Sequence, residues 1–474
     1  MIFAFAKRAF TLSLVLIFAV AIFAQKTLTS KKDSIPSDLI NKEILRVSSP
    51  KVQKITLPNG LQVILIENHQ APIFAMQMVI LNGGISDQTT HQLLPSLLRA
   101  GTQKWTSKEI DEQIDLLGIT LTAQSDSSSS TTNVSATGLV KNLNQTLDVL
   151  AEIVKNPIFP QTEVERFKNQ YLSQIQSQRS ASDFLAREKF NQIIYDKHPA
   201  AFTSPSADSL ARVSSTDFKN FHDLYYRPNN ALLVIVGDTT LKAVLPTIKR
   251  SFGDWKSGNV SKTAFPQASN LLPMQIHLID RPNSTQTTFR IGNLSLLRTD
   301  PDYYAMHVMN RIFNTVRLAR STRGKGYSYG MNSGFSAFRF RGLWNFNGSV
   351  GTEVTGAALG ELIKELKLLS EEKVTAEELE DAKRAVTGIF ALQMEQRQTI
   401  LDRVVAQELY NLHDDYWNTY TQKIAAINAE DIQRVARKII DLDHLQIVAV
   451  GDGSKIRKTL ENYGTVAVYQ VDRK

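Results

Sequence analysis

The chain has no cysteine in its 474 residues. That absence excludes disulfides, thiolate zinc sites, cysteine nucleophiles and the acylated cysteine of a lipoprotein anchor. Basic residues never run five in a row, so the formal charge of +8 reads as a solvated surface and no nucleic-acid partner is expected. The eight histidines, His69, His91, His198, His222, His277, His307, His413 and His444, all stand apart. No two lie within five positions, so neither a helix turn nor a hairpin presents a histidine pair to a metal.

What is present is ordinary for a globular protein: 42% hydrophobic and 21% charged residues, in a length suited to two domains. Lys7 and Arg8 precede the apolar run Thr11 to Ala24, which Gln25 closes. A basic start, a short apolar core and a small residue before a polar one describe a secretory signal peptide over residues 1–24. The run is too short for a confident membrane span, so no stable membrane insertion is expected after cleavage; an uncleaved anchor is the alternative, because Ile22 is not a small residue. The polar stretch 25–50 reads as a flexible lead-in. The expected location is outside the cytoplasm, in the periplasm.

The chain then repeats itself. Asn230 to Asp238 reads NALLVIVGD and His444 to Asp452 reads HLQIVAVGD, 214 residues apart, each a buried-strand pattern closed by Gly-Asp. At the same offset upstream, Ser214 and Asn428 suit helix N-caps before Asp217 and Asp431. Thr162-Glu-Val-Glu165 and Thr375-Ala-Glu-Glu378 read as capping boxes at nearly the same spacing. Helical leucine patterns start at Thr146 and Ala358. Four matches in one order predict a tandem duplication of an α+β unit, with copies over 51–258 and 273–474 and a linker at 259–272.

Each copy opens on strands, the first being KVQKITLPNGLQVILIE, turned at Pro58-Asn-Gly60, and FAMQMVILN. Helices follow near Thr90 and over Ser107 to Leu117. The polar stretch Thr120 to Ala136 reads as solvent-facing strands. In the second copy QIHLIDRP begins the unit, Gly324 to Phe340 and Gly342 to Val350 read as strands, and Glu378 to Ile400 reads as one long helix.

LPNGLQVIL, YYRPNNALLVIVGD and RGKGYSYG resemble motifs of the M16 (pitrilysin/insulinase, mitochondrial-processing-peptidase-like) zinc peptidases, over about Lys51 to Val471. The resemblance implies two α+β halves, each a mainly antiparallel sheet with helices on one side, forming half of a clam-shell. Active members carry H-x-x-E-H on the first helix, shortly before Gly-Thr: two histidines one turn apart hold zinc and the glutamate serves as general base. Alignment on Gly101-Thr102 puts Gln92, Pro95 and Ser96 at those positions, and a third ligand would fall at Ser173 or Gln174. None of these can do the work of histidine or glutamate, so no metal is expected in this chain. His91 reads as a surface or helix-start residue.

The segment Val316 to Gly330, VRLARSTRGKGYSYG, is similar to the family's R-L-x-x-x-x-R-E-x-x-G-x-x-Y. The match makes Arg323 and Tyr329 the residues that would hold substrate and stabilise charge at the scissile carbonyl, with Arg320 or Tyr327 as alternatives one register away. Lys325 reads as a solvated neighbour. The resemblance therefore implies a zinc-free subunit whose partner chain supplies zinc on an intact H-x-x-E-H, acting on peptides or unfolded segments. A scaffold or peptide-binding subunit without catalytic role is the alternative. An autonomous peptidase is the weakest reading, since no persuasive serine nucleophile is found.

Overall fold

Some strands of this chain alternate buried and exposed residues while others are buried throughout, and the turns between successive strands put Gly60, Ser130 and Asn283 in the left-handed region. The structure, a computed structural model, describes residues 50–81, 83, 87–126, 128–261, 264–268, 272–328 and 330–471. The signal-peptide reading, and with it Tyr329, lies outside the described residues.

The first half runs β1 (Val52–Thr56), β2 (Gln62–Glu67), β3 (Ile73–Ile80), α1 (Gln88–Leu97), α2 (Ser107–Leu117), β4 (Thr120–Asp126), β5 (Thr131–Leu139), α3 (Leu143–Lys155), α4 (Gln161–Arg179), α5 (Ser182–Tyr195), α6 (Ser215–Tyr225), β6 (Ala231–Gly237) and α7 (Leu241–Phe252). The second runs β7 (Gln275–Asp280), β8 (Gln286–Leu294), α8 (Tyr303–Ile312), β9 (Asn332–Phe335), β10 (Leu343–Gly351), α9 (Thr355–Glu371), α10 (Ala376–Gln393), α11 (Arg397–Leu409), α12 (Ala429–Ile439), β11 (Gln446–Gly451), α13 (Gly453–Leu460) and β12 (Val466–Gln470). Two six-residue helices, Ala207–Arg212 and Tyr420–Ala425, complete the longer connections.

The sheets have the orders β1-β2-β6-β3-β5-β4 and β12-β7-β11-β8-β10-β9. In the first only β2 and β6 pair parallel; in the second β7 pairs parallel with both β11 and β12. The turn between β1 and β2 needs its glycine: Gly60 has φ +91°, and a Cβ there would meet the Asn229 Cβ at 2.8 Å.

The duplicated strands β6 and β11 are buried along their whole length, which requires cover on both faces. One face of each sheet meets the helices of its own half: Val63, Met76 and Leu233 pack with Leu94, Leu147 and Phe218 in the first, and Phe289, Ile447 and Phe346 with Met309, Leu362 and Val435 in the second. The opposite faces are covered by exchange. Ile400, Leu401, Val404 and Val405 of α11 lie on Ile64, Ile66, Val234 and Val236 of the first sheet. Ala186, Phe190 and Ile194 of α5 lie on Ile279, Val448 and Val450 of the second. Phe190 and Leu401 are fully buried, and each such side chain contributes roughly 2–3 kcal/mol of transfer free energy. The halves hold one another, and Leu45–Lys474 forms a single compact unit.

Three expectations need correction. The helix over Glu378 to Ile400 is two helices. The chain turns at Met394 to Gln396, where Gln396 is extended, and Arg397 donates to Asn68 Oδ1 at 2.9 Å, so that α11 leaves α10 and crosses the first sheet. The capping box at Thr375 forms, as do the caps at Ser214 and Asn428, but Thr162 lies inside its helix because Pro160, with φ −57°, takes the cap position. The stretch Gly324 to Phe340 contributes only the four-residue β9, because the chain before it stays helical in a widened π form through Arg323.

Candidate functional site

Helix α1 starts at Asp87, whose carboxylate accepts the Thr90 amide, and ends one turn before Gly101. Gln92 donates from Nε2 to the Thr203 carbonyl at 3.3 Å, while its Oε1 is buried without a partner. Pro95 is buried inside the helix and has no N–H to give, and Ser96 is exposed. On α4, Ser173 and Gln174 are exposed, and the Ser173 hydroxyl turns back to the Asn169 carbonyl at 3.1 Å. These side chains, two neutral amides and two hydroxyls around a proline, do not fit zinc. Among the described residues no cluster of three or more histidine, aspartate or glutamate side chains is arranged to hold a metal.

Of the two readings, a surface or a helix-start residue, His91 takes the second in the structure. It is 2% exposed, in the first turn of α1, with Nε2 3.2 Å from the Thr131 carbonyl and its ring 6.1 Å from Phe221. Nδ1 has no partner. Burial pushes its pKa down to about 4, more than the Thr131 carbonyl and the charges of Asp126 and Asp87 raise it. The imidazole is a neutral core group at neutral pH.

The arginine segment is better built. Beyond α8 the chain continues as two π-helical stretches, Phe313–Arg317 and Ala319–Arg323, of the kind often found at functional sites. Three arginines follow at intervals of three, and two are tied down. Arg317 is buried, with Nη2 3.0 Å from Glu378 and Nη1 3.8 Å from Glu365. Arg320 grips Glu365 with bonds of 2.9, 2.8 and 2.6 Å, and that pairing raises its pKa. Glu365, its side chain 5% exposed, thus lies between two guanidinium groups. Arg323 is exposed and has no ion-pair partner among the described residues. Tyr327 is half-buried against the core of the second half, and Lys325 lies 3.3 Å from Glu361 at the surface. The structure therefore sets Arg320 in a fixed ion pair and leaves Arg323 open.

One motif escapes the sequence reading. Gly326-Tyr-Ser-Tyr-Gly330 does spell G-x-S-x-G, the pattern of a strained strand-to-helix nucleophile elbow. Its setting differs: it follows a π-helical stretch and precedes a strand. The Ser328 hydroxyl is buried and donates to the Ser349 carbonyl at 2.6 Å, and no histidine among the described residues bonds to it. It is a structural serine.

Two six-stranded halves with crossed helices and a degenerate metal helix define a zinc-peptidase-like protein of the duplicated kind. The sequence profiles "Insulinase (Peptidase family M16)" and "Peptidase M16 inactive domain" match residues 62–203 and 212–386, and the chain belongs to peptidase family M16. It is 22% identical over 411 residues to the "Uncharacterized zinc protease YmxG" of Bacillus subtilis, covering 83% of this chain and 97% of that protein. It is 24% identical over 276 residues to the "Probable mitochondrial-processing peptidase subunit beta" of Arabidopsis thaliana, covering 57% of this chain and 51% of that one. Against the "Non-peptidase homolog YmxG" of Helicobacter pylori it is 20% identical over 402 residues, covering 83% and 92%. Among solved structures, the "peptidase M16 inactive domain" from Pseudomonas fluorescens superposes with a TM-score of 0.79 at 24% identity, over 85% of this chain and 98% of that one.

Proposed function

We propose that this chain is the zinc-free subunit of an exported two-chain M16 peptidase, acting in the periplasm on peptides or unfolded segments. A partner with an intact H-x-x-E-H supplies zinc and the general base; this chain supplies Arg323, together with Tyr329, to hold substrate backbone and the charge developing on the scissile carbonyl. One observation carries the reading: the metal helix lacks every ligand, yet the arginine segment keeps an open guanidinium on a backbone pinned through Arg317 and Arg320 to two glutamates. A pre-aimed donor of that kind acts more strongly in a closed chamber than in water, because no reorganisation is needed when charge appears. No helix among the described residues is long and apolar enough to cross a membrane.

A second reading, a peptide-binding subunit without catalytic role, is favoured by the likeness to the non-peptidase homolog of Helicobacter pylori. Reconstitution separates the two. The purified chain is assayed for zinc and peptide hydrolysis alone, and again after mixing with a candidate H-x-x-E-H chain. The clamp reading expects Arg323→Gln to lower kcat of the assembled pair about 10²–10³-fold with assembly intact. Unchanged turnover supports the binding role, and chelator-sensitive cleavage by this chain alone overturns both.

A further inference from the structure

Helices α8, α10 and α11 of the second half, with Trp417 and Tyr420, enclose a cavity of about 390 Å³ that neither the metal helix nor the arginine segment explains. Its wall is aromatic. Phe390 stacks on Tyr420 with ring centroids 4.4 Å apart and lies 6.2 Å from Trp417, while Tyr303 meets His307 edge-on at 4.7 Å. Its charge is of one sign. Arg403 and Arg311 line it and no aspartate or glutamate does. Behind Tyr303, the Arg298 guanidinium sits 3.9 Å over that ring and donates to the Tyr416 hydroxyl at 2.6 Å. Among the described residues, none of these three arginines is ion-paired with a carboxylate.

Two nitrogens of residues lining this cavity lack hydrogen-bond partners. Arg403 lies 4.1 Å over the Phe390 ring and gives Nη2 to Gln393 at 3.0 Å, but its Nη1 is buried and unbonded. His307 has a buried, unbonded Nε2. Desolvation first, then Arg298 and Arg403, hold the pKa of His307 down to about 3, so the ring is neutral and free to donate one N–H. A desolvated guanidinium without a counterion is costly, and a carboxylate placed against it forms one of the stronger hydrogen bonds available. Toward solvent the cavity opens past Ile389, which is 43% exposed, and Leu392, 66% exposed, continues the apolar surface along α10.

We propose that this cavity binds the C-terminal residue of a peptide when that residue is aromatic: the carboxylate between Arg403 Nη1 and His307 Nε2, the ring against Phe390, Trp417 and Tyr420, and the preceding chain leaving over Ile389. The volume suits a single large residue and is at the lower end of small-ligand sites. The proposal is independent of Arg323 and needs no partner chain.

Titration calorimetry on the full chain tests it, with N-acetyl-phenylalanine and an N-acetylated tetrapeptide ending in phenylalanine, each as free acid and as amide. Both acids are expected to bind, with the amides at least about tenfold weaker, the loss of one charge-assisted bond. Arg403→Gln and the rim variant Arg311→Gln should each weaken the acids about tenfold and leave the amides alone, with circular dichroism reporting that each is folded. Equal affinity of acid and amide, no acid binding at millimolar ligand, or wild-type affinity in both folded variants overturns the proposal. Binding of the single amino acid but not the tetrapeptide overturns its peptide source.

Discussion

The two halves share an order of strands but fill their opening helices differently. In the first, α1 carries a buried proline and a buried histidine, stops at Leu97 and packs its apolar face into the core. In the second, its counterpart α8 runs on into π-helical turns and leads to Arg317, Arg320 and Arg323. Their sheet edges also differ: β1 closes the first sheet as an antiparallel hairpin with β2, whereas β12 arrives from the end of the chain and lies parallel to β7. Duplication preserved the layers, and the site-bearing segments diverged. Polar chemistry is spent in the second half, while the first half's helix has turned to packing.

The halves are nonetheless equal in what they lend each other, and the sharpest way to break that equality is at the exchanged helices. Phe190→Ala should cost about 3–5 kcal/mol and Leu401→Ala about 2–5 kcal/mol, as expected for truncations in a filled core. Urea unfolding followed by fluorescence should show one shared transition in each variant. Two separate transitions would mean that the halves are stable apart and the exchange is decorative.

Next in size is the arginine segment. Glu365→Ala removes the carboxylate between Arg317 and Arg320 and should cost about 2–3 kcal/mol, since it strips Arg320 of its charge-assisted bonds and leaves the buried Arg317 with Glu378 alone. If its urea midpoint matches wild type, the segment is not pinned in the way described.

The histidine of α1 gives an effect seen only on acidification. Its folded pKa, about 4, lies below the unfolded value of about 6.5, so protonation favours the unfolded chain. Its contribution is complete above pH 6.5 and is lost as pH falls toward 4, at most on the order of 3 kcal/mol. His91→Gln should flatten the fall in urea midpoint across that window. His307 has the same sign and stays in place as an internal reference.

Smallest is Arg323→Gln, which should move stability by less than about 0.5 kcal/mol because the side chain is exposed and has no ion-pair partner among the described residues. A larger loss in the isolated chain would mean that Arg323 is a structural residue like Arg320.

Much of the fold was legible because its signals are local. Apolar runs ending in Gly-Asp gave β6 and β11, and Ser214, Asn428 and Thr375 form the caps that their side-chain chemistry requires. What stayed hidden depends on distant partners. Nothing near Arg397 says that the chain will turn away to reach Asn68, and nothing near Thr90 says that Phe221 will enclose His91. The run Phe313 to Arg323 carries no strand or turn signal of its own; its π form accompanies ion pairs to Glu365 and Glu378, more than forty positions away. The cavity beside Arg403 was invisible for the same reason, being assembled from α8, α10, α11 and the Trp417 loop.

The crossing of α5 and α11 also sets an order of events during synthesis. When β6 leaves the ribosome the first sheet has all its strands, but Ile64, Ile66, Val234 and Val236 still lack their cover, because α11 has not yet been translated. A nascent chain stalled before Arg397 would present that bare apolar face to whatever is nearby, another nascent chain or a chaperone. The first sheet therefore gains its second cover only once α11 has been made.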